Sequence, residues 1–253
     1  MSRYDAISIR MKENYEFPYR IKMTRRTPVI VRLDGKAFHS FTKGFVRPFD
    51  HVLMTAMQST MLDLCRSIQG AAFGYTQSDE ISLLLIDYLN LDSCAWFDNE
   101  VQKICSVSAS MCTLYFNKHF SCEVANAADG SPEHKARMKA AETGGMFDAR
   151  CFNVPKDEVT NYFLGRQNDA TRNSIQMVGQ CYFKQRELQG KSGNDIQDML
   201  LTQHDVNWNN CTVPEKRGAA CCKTEDGWLI DTNMPILKEG GRDYVERLLD
   251  PLE

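Results

Sequence analysis

Short β-prone apolar runs alternate along this chain with longer stretches of helical periodicity. Residues 29–33 (V-I-V-R-L) form an apolar run that ends on Asp34-Gly35, the signature of a buried strand entering a turn. Residues 72–76 and 81–87 repeat it on either side of Gln77-Ser78-Asp79-Glu80, which predicts two strands joined by a tight turn. Residues 146–155 (M-F-D-A-R-C-F-N-V-P) read as a fourth strand. Between the first and second strands, Leu53, Met54, Met57, Met61, Leu64, Cys65 and Ile68 recur at three- and four-residue steps. That spacing predicts an amphipathic helix over 50–68, with Pro48 and Asp50 as start signals and the methionines as core filler. Residues 96–120 predict a long helix whose small residues (Ser106, Ser108, Ala109, Ser110) let it lie close to a sheet. Residues 156–184 predict another, unusually polar in its middle. Short helices are expected near 5–15 and 195–201, and hairpin character around Glu225-Asp226-Gly227. The polar, alanine-rich segment 123–145 reads as a loop with a helical turn, mobile without a partner.

The order β-α-β-β-α-β followed by a helix predicts an α+β fold. It is a ferredoxin-like split-βαβ antiparallel sheet with helices packed on one face, plus a C-terminal helix and hairpin extension. Residues 1–185 are the expected catalytic domain and 186–253 the extension packed on it.

Composition narrows the class. With 43% hydrophobic and 25% charged residues in 253, this is an ordinary globular chain rather than a disordered one. The N-terminal segment is charged throughout, so neither a signal peptide nor a membrane span is expected, and a cytoplasmic location is. Ten cysteines without a C-x-x-C pair point to reduced, partly buried thiols rather than to zinc or a disulfide framework. The net charge of −3 argues against indiscriminate nucleic-acid binding. Local basic clusters (Lys22/Arg25/Arg26, Lys135/Arg137/Lys139, Lys184/Arg186) are either solvated surface or parts of a basic face.

Candidate chemistry starts with the carboxylates. Asp34 sits at a strand end, where open sheets place their ligands, and Gly35 lets the backbone approach one closely. Asp79 and Glu80 stand at the break between two strands. Mg²⁺ takes hard oxygens and is commonly held by one or two carboxylates plus substrate phosphates. Two readings stay open: the carboxylates hold metal, or Asp34 caps a turn and Asp79-Glu80 is a polar turn. Gly35 to His39 would offer backbone N–H groups to a triphosphate. No Walker A sequence is present, since Gly190-Lys191-Ser192 lacks the first glycine. His39 is a general base, a phosphate donor or a bystander. Lys36, Lys43 and Arg47 are the better candidates for phosphate charge. Arg150, Arg166 and Arg172 either reach a nucleic-acid backbone or an incoming nucleotide, or form ion pairs with Asp169 and Glu158.

Five motifs in one order carry a resemblance. R-L-D-G-K-A-F-H (32–39), R-P-F-D (47–50), Y-T-Q-S-D-E-I-S (75–82), F-D-A-R (147–150) and R-Q-N-D (166–169) with Arg172-Asn173 together resemble the tRNA(His) guanylyltransferase superfamily. The resemblance spans about residues 1–218 and implies a polymerase-like palm. It implies nucleotide addition to the 5′ end of tRNA. ATP activates the 5′-monophosphate to an adenylylated end, and the 3′-hydroxyl of an incoming nucleoside triphosphate then attacks and expels AMP. By position, it implies two Mg²⁺ ions on Asp34, Asp79 and the carbonyl of Gly35, with Glu80 as a third catalytic carboxylate. Nucleotide contacts fall on Gly35, Lys36, Ala37, Phe38, His39, Arg47, Ser78 and Lys103, and tRNA contacts on Arg150, Arg166, Arg172 and Asn173. The expected partners are tRNA, ATP, GTP and other nucleoside triphosphates, in a homotetramer and without a membrane. One departure stands out: where the tRNA(His)-specific enzymes read H-I-N-N, this chain reads T-R-N-S from Thr171. The sequence is therefore more similar to the guanylyltransferase-like 3′–5′ polymerase branch, which repairs truncated 5′ ends against a template. The alternatives are G−1 addition specific to tRNA(His), a palm-type nucleotide cyclase, and a non-catalytic RNA-binding module.

Overall fold

In the computed structural model, which describes residues 3–127 and 129–250, six strands form one sheet in the order β4-β1-β3-β2-β5-β6. They are β1 (Val29–Gly35), β2 (Ala71–Gln77), β3 (Glu80–Leu85), β4 (Phe147–Asn153), β5 (Ala219–Thr224) and β6 (Gly227–Asp231). Every neighbouring pair is antiparallel. β3 lies between β1 and β2, which is the split βαβ arrangement. The β5–β6 hairpin joins the edge of β2, with Phe73 opposite Cys222, so the sheet runs on into the C-terminal part of the chain.

The described helices are α1 (Arg3–Met11), α2 (Phe38–Phe41), α3 (His51–Ser67), α4 (Val101–Asn126), α5 (Pro132–Thr143), α6 (Val159–Tyr182), α7 (Gln185–Leu188), α8 (Gly193–His204), α9 (Val213–Arg217) and α10 (Asp243–Glu246). The predicted start of α3 has a clear cause. Asp50 accepts the Leu53 N–H at 3.1 Å as an N-cap, and its other oxygen accepts the Val46 N–H at 3.0 Å. Trp96–Asn99 is a separate 3₁₀ turn rather than the first turn of α4, because Phe97 and Asp98 have positive φ.

Helices cover both faces of the sheet rather than the one expected. β3 is buried at all six positions, Glu80 and Ser82 included, and a strand buried on both faces needs cover on both sides. On one face Val29, Val31, Leu33, Ile81 and Leu83 pack under Met57, Met61 and Leu64 of α3 and Ile104 and Phe116 of α4. On the other, Ile30, Phe73, Tyr75 and Leu84 meet Val159 and Phe163 of α6, with Met234, Leu237 and Val245 from the C-terminal segment. A smaller cluster joins the second half of α6 to α8 through Ile175, Val178, Ile196, Leu200 and Trp208.

The expected loop over 123–145 is largely helical instead. α4 continues to Asn126, and α5 fills Pro132–Thr143 behind Ser131, whose hydroxyl accepts the His134 N–H at 3.0 Å. The buried residues of α5 are His134, Arg137 and Ala140, and Arg137 Nε donates to Asp50 at 2.9 Å. All ten cysteines are free. Among the described residues, no helix is long and apolar enough to cross a membrane.

Candidate active site

Three segments converge at the end of β1. The Gly35 N–H donates to the carbonyl of Asp79 at 3.1 Å, and the Lys36 N–H to the carbonyl of Met146 at 2.8 Å. The β2–β3 turn and the start of β4 are thereby fastened to either side of Asp34-Gly35. Side chains alternate along a strand, so Asp34 projects on the side of Arg32 and Ile30, toward α6. The register sets it opposite Glu80 on β3 and Asp148 on β4.

Asp79 occupies the tight turn after Ser78, whose φ of 51° is in the left-handed region. The Ser78 hydroxyl donates to Asp79 Oδ1 at 3.0 Å. Burial pushes the Asp79 carboxyl above its ordinary range; the Ser78 bond works against that rise, and the nearby charge of Asp34 adds to it. The Gly35–Asp79 backbone bond brings the segments carrying Asp34 and Asp79 together, and a cation there would favour the ionised Asp79 carboxylate. No group of three or more His, Cys, Asp or Glu side chains is gathered as a metal cluster among the described residues. The oxygen donors that would be available to a cation are the two carboxylates and the carbonyl of Gly35. That set fits Mg²⁺, which completes its shell with water and substrate phosphates.

Glu80 lies beside Asp34 but is engaged elsewhere. Its side chain is 6% exposed, and Oε2 accepts from Arg166 Nη1 at 3.0 Å with Arg32 Nε at the same distance as an ion pair. Ser82, 3.4 Å from Oε1, leads on to the hydroxyl of Tyr162 at 2.9 Å. Burial pushes the Glu80 carboxyl up, against the two guanidinium groups that favour its charge. Asp169 pairs with both Arg166 and Arg172. Arg150 Nη2 lies 3.5 Å from Asp34 Oδ2 and 3.4 Å from Asp148 Oδ1.

After Gly35 the chain turns through Ala37, at a φ of 56°, into α2. Among the described residues, no group accepts from the N–H groups of Ala37, Phe38 or His39, so three backbone donors stand open beside the carboxylates. Lys36 and His39 are exposed. Phe38 offers only its backbone, because its ring is packed against Phe41, Phe116 and Phe147. A Cβ on Gly35 would lie 2.4 Å from that ring, which explains the glycine. Arg47 and Ser78 share a pocket of about 230 Å³ with Gln180 of α6. Arg172 and Asn173 are exposed on α6, and Asn173 and Ser78 line an adjoining cleft.

Lys103 is not brought to this cluster. Its ammonium sits over the Phe97 ring at 5.1 Å. The Phe147 N–H at the site end of β4 donates to the Thr113 hydroxyl, ten residues further along α4, or about 15 Å at 1.5 Å per residue. Sequence reasoning passed over Asp148 and the Arg32–Glu80–Arg166 bridge. The signal for Asp148 was its two-residue spacing from Arg150, which puts both on one face of β4.

The split-βαβ sheet, with Asp34 at a strand end and Asp79 in the adjoining turn beside open backbone donors, has the architecture of a palm, and the family match makes its class a nucleotidyltransferase. The family model described as tRNA(His) guanylyltransferase matches residues 9–155, and the chain belongs to that family. It is 43% identical to a bacterial tRNA(His) guanylyltransferase-like protein solved in complex with ATP, at a TM-score of 0.85, covering 96% of this chain and 99% of that one. A bacterial guanylyltransferase-like protein solved with GTP is 41% identical at a TM-score of 0.79, over 97% and 99% of the two chains. The tRNA(His) guanylyltransferase of Saccharomyces cerevisiae is 26% identical over 222 residues, 81% of this chain and 86% of the yeast protein.

Proposed function

We propose that this enzyme extends the 5′ end of truncated tRNA in the 3′–5′ direction, copying the base opposite, rather than adding a single G to tRNA(His). The reading of the site is supported above all by the Gly35 N–H bond to the Asp79 carbonyl, which fastens together the two segments that carry Asp34 and Asp79, beside three open N–H donors. The repair reading is supported by Thr171. Its hydroxyl donates to the Gln167 carbonyl of its own helix at 3.0 Å, so it offers no imidazole where the tRNA(His)-specific enzymes have one. The greater similarity to the bacterial guanylyltransferase-like proteins than to the yeast enzyme points the same way.

ATP and GTP are the nucleotides expected here, by analogy with the bound relatives. The N–H groups from Ala37 to His39 take triphosphate oxygens, with Lys36, Arg47 and Ser78 at the rim. Asp34, Asp79 and the Gly35 carbonyl would hold two Mg²⁺ ions. When bound, these neutralise charge on the phosphoryl oxygens and help orient the attacking and leaving groups. A 5′-phosphate oxygen attacks the α-phosphorus of ATP and releases pyrophosphate. The 3′-hydroxyl of the incoming nucleotide then attacks the adenylylated 5′ phosphorus and releases AMP. Arg150 is placed to take phosphate charge beside Asp34. Glu80, held by Arg32 and Arg166, fixes the strand tip opposite Asp34. Arg172 and Asn173, on the exposed side of α6, face the tRNA. Assembly as a cytoplasmic homotetramer would give a chain of net charge −3 a composite basic surface.

The test supplies 5′-monophosphorylated tRNA lacking one nucleotide, ATP and each nucleoside triphosphate separately. Addition of the complementary nucleotide opposite each of four templating bases supports repair. Addition of G alone, on tRNA(His) alone, refutes it.

A further inference from the structure

Next to the β1 tip, between the α2 loop and α5, lies a pocket of about 450 Å³. Three lysines from separated parts of the chain, Lys36, Lys43 and Lys139, line it, and no carboxylate does. None of their ammonium groups has a partner among the described residues. That is a local charge of opposite sign to a chain whose net charge is −3. The floor is apolar, made by Phe41, Ala136 and Met146, and Met146 is 57% exposed.

The pocket walls are built rather than loose. The Gly145 N–H donates to Asn117 Oδ1 at 2.7 Å, and Asn117 Nδ2 donates back to the Gly145 carbonyl at 2.9 Å. On the opposite wall, a Cβ on Gly44 would lie 3.1 Å from that of Ala136, so the loop already touches α5. The Lys36 N–H bond to the Met146 carbonyl ties both walls to the strand that ends in Asp34-Gly35.

The proposed reaction needs two phosphate-bearing partners at once, the nucleotide and the RNA end. The carboxylates and open N–H groups account for one of them. We propose that the lysine pocket is a subsite for the RNA strand adjoining the 5′ end under extension. Lys43 and Lys139 neutralise its phosphates, and the apolar floor receives a ribose or base. Lysines neutralise RNA phosphates by displacing condensed counterions, and apolar surfaces accept bases without regard to sequence. The inference rests on the tRNA reading above but is tested by binding, not turnover.

The experiment compares the full chain with its Lys43→Ala/Lys139→Ala variant, titrating 5′-monophosphorylated, one-nucleotide-truncated tRNA between about 50 and 200 mM salt. ATP is titrated separately. The variant is expected to bind RNA on the order of tenfold more weakly at low salt, with a log–log salt slope shallower by about 1.4 to 1.8, two phosphates' worth. Its ATP affinity stays unchanged, and Lys43→Arg/Lys139→Arg restores RNA binding. Equal RNA affinity and slope in variant and wild type would overturn the proposal, as would an absence of RNA binding by the wild type. A loss of ATP affinity matching the RNA loss would assign the pocket to the triphosphate and overturn it too. Lysine-dependent RNA binding in a wild type that adds no nucleotide would leave the subsite standing and remove the reaction assigned to it.

Discussion

Replacing Glu80 with alanine removes the carboxylate that separates two guanidinium groups. Arg32 and Arg166 both lie 3.0 Å from the same Glu80 oxygen, and the three side chains are 26%, 15% and 6% exposed in that order. Deleting one partner of a buried ion pair costs about 3–5 kcal/mol, because the remaining charge is left uncompensated. Arg32 retains some water and Arg166 keeps Asp169, which places Glu80→Ala at the lower end, about 3 kcal/mol. For a chain of this size, 1 kcal/mol shifts the thermal midpoint by about 2–4 °C, so the expected fall is about 6–12 °C. Circular dichroism melts of wild type and variant measure it directly. Arg32→Met in the Glu80→Ala background should recover part of the loss by removing the cation left without its partner. At a temperature where the variant is folded, RNA binding and some nucleotide addition should survive. An unchanged midpoint with addition abolished would refute the structural role and make Glu80 a direct participant.

Two further outcomes follow from groups around the site. The folded Asp79 carboxyl titrates above its ordinary value of 3.8, so its contribution to stability is full below that value and is lost as pH rises through the folded one. Ionised at pH 7, Asp79 works against folding, and Asp79→Asn should gain about 0.5–2 kcal/mol in EDTA, a gain that shrinks as the pH is lowered; a destabilised Asp79→Asn at pH 7 would contradict this. Asp50→Ala removes a helix N-cap, worth about 1 kcal/mol, and also strands Arg137, which is 7% exposed. Its cost in urea denaturation should therefore reach about 3–5 kcal/mol, and a loss near 1 kcal/mol would show that Arg137 finds another partner.

Much of the fold was legible because local and global signals agree. The run from Val29 to Leu33 is a strand, and the periodicity after Asp50 is α3. The turn at Ser78-Asp79 joins β2 to β3, as its polar break predicted. Two features were hidden for a physical reason. α5 buries His134, Arg137 and Ala140, so its inward face has no apolar stripe, and only Ser131-Pro132 marked its start. The second covered face of the sheet was written only in the short run Leu83-Leu84-Leu85 of β3, where neighbouring apolar side chains point to opposite faces, while Glu80 and Ser82 on the same strand obscured it. At the site, sequence placed Asp34, Asp79 and Glu80 near one another through adjacency and resemblance. It could not show that Glu80 faces two arginines, because Arg32 and Arg166 are 134 residues apart in the chain. Nor could it show that Lys103 lies along α4 away from the β1 tip, since that depends on where α4 crosses β4.

In the proposed mechanism, Asp34 and Asp79 together carry nucleotide addition while the RNA is held elsewhere. The most direct measurement is the rate of addition to 5′-truncated tRNA by Asp34→Ala and Asp79→Ala, alongside their RNA affinity. The expected loss is at least about 10²–10³ in rate, the range seen when a single electrostatic contributor is removed, with RNA affinity little changed. Near wild-type addition by either variant would contradict it, and so would a loss of RNA binding large enough to explain the fall in rate.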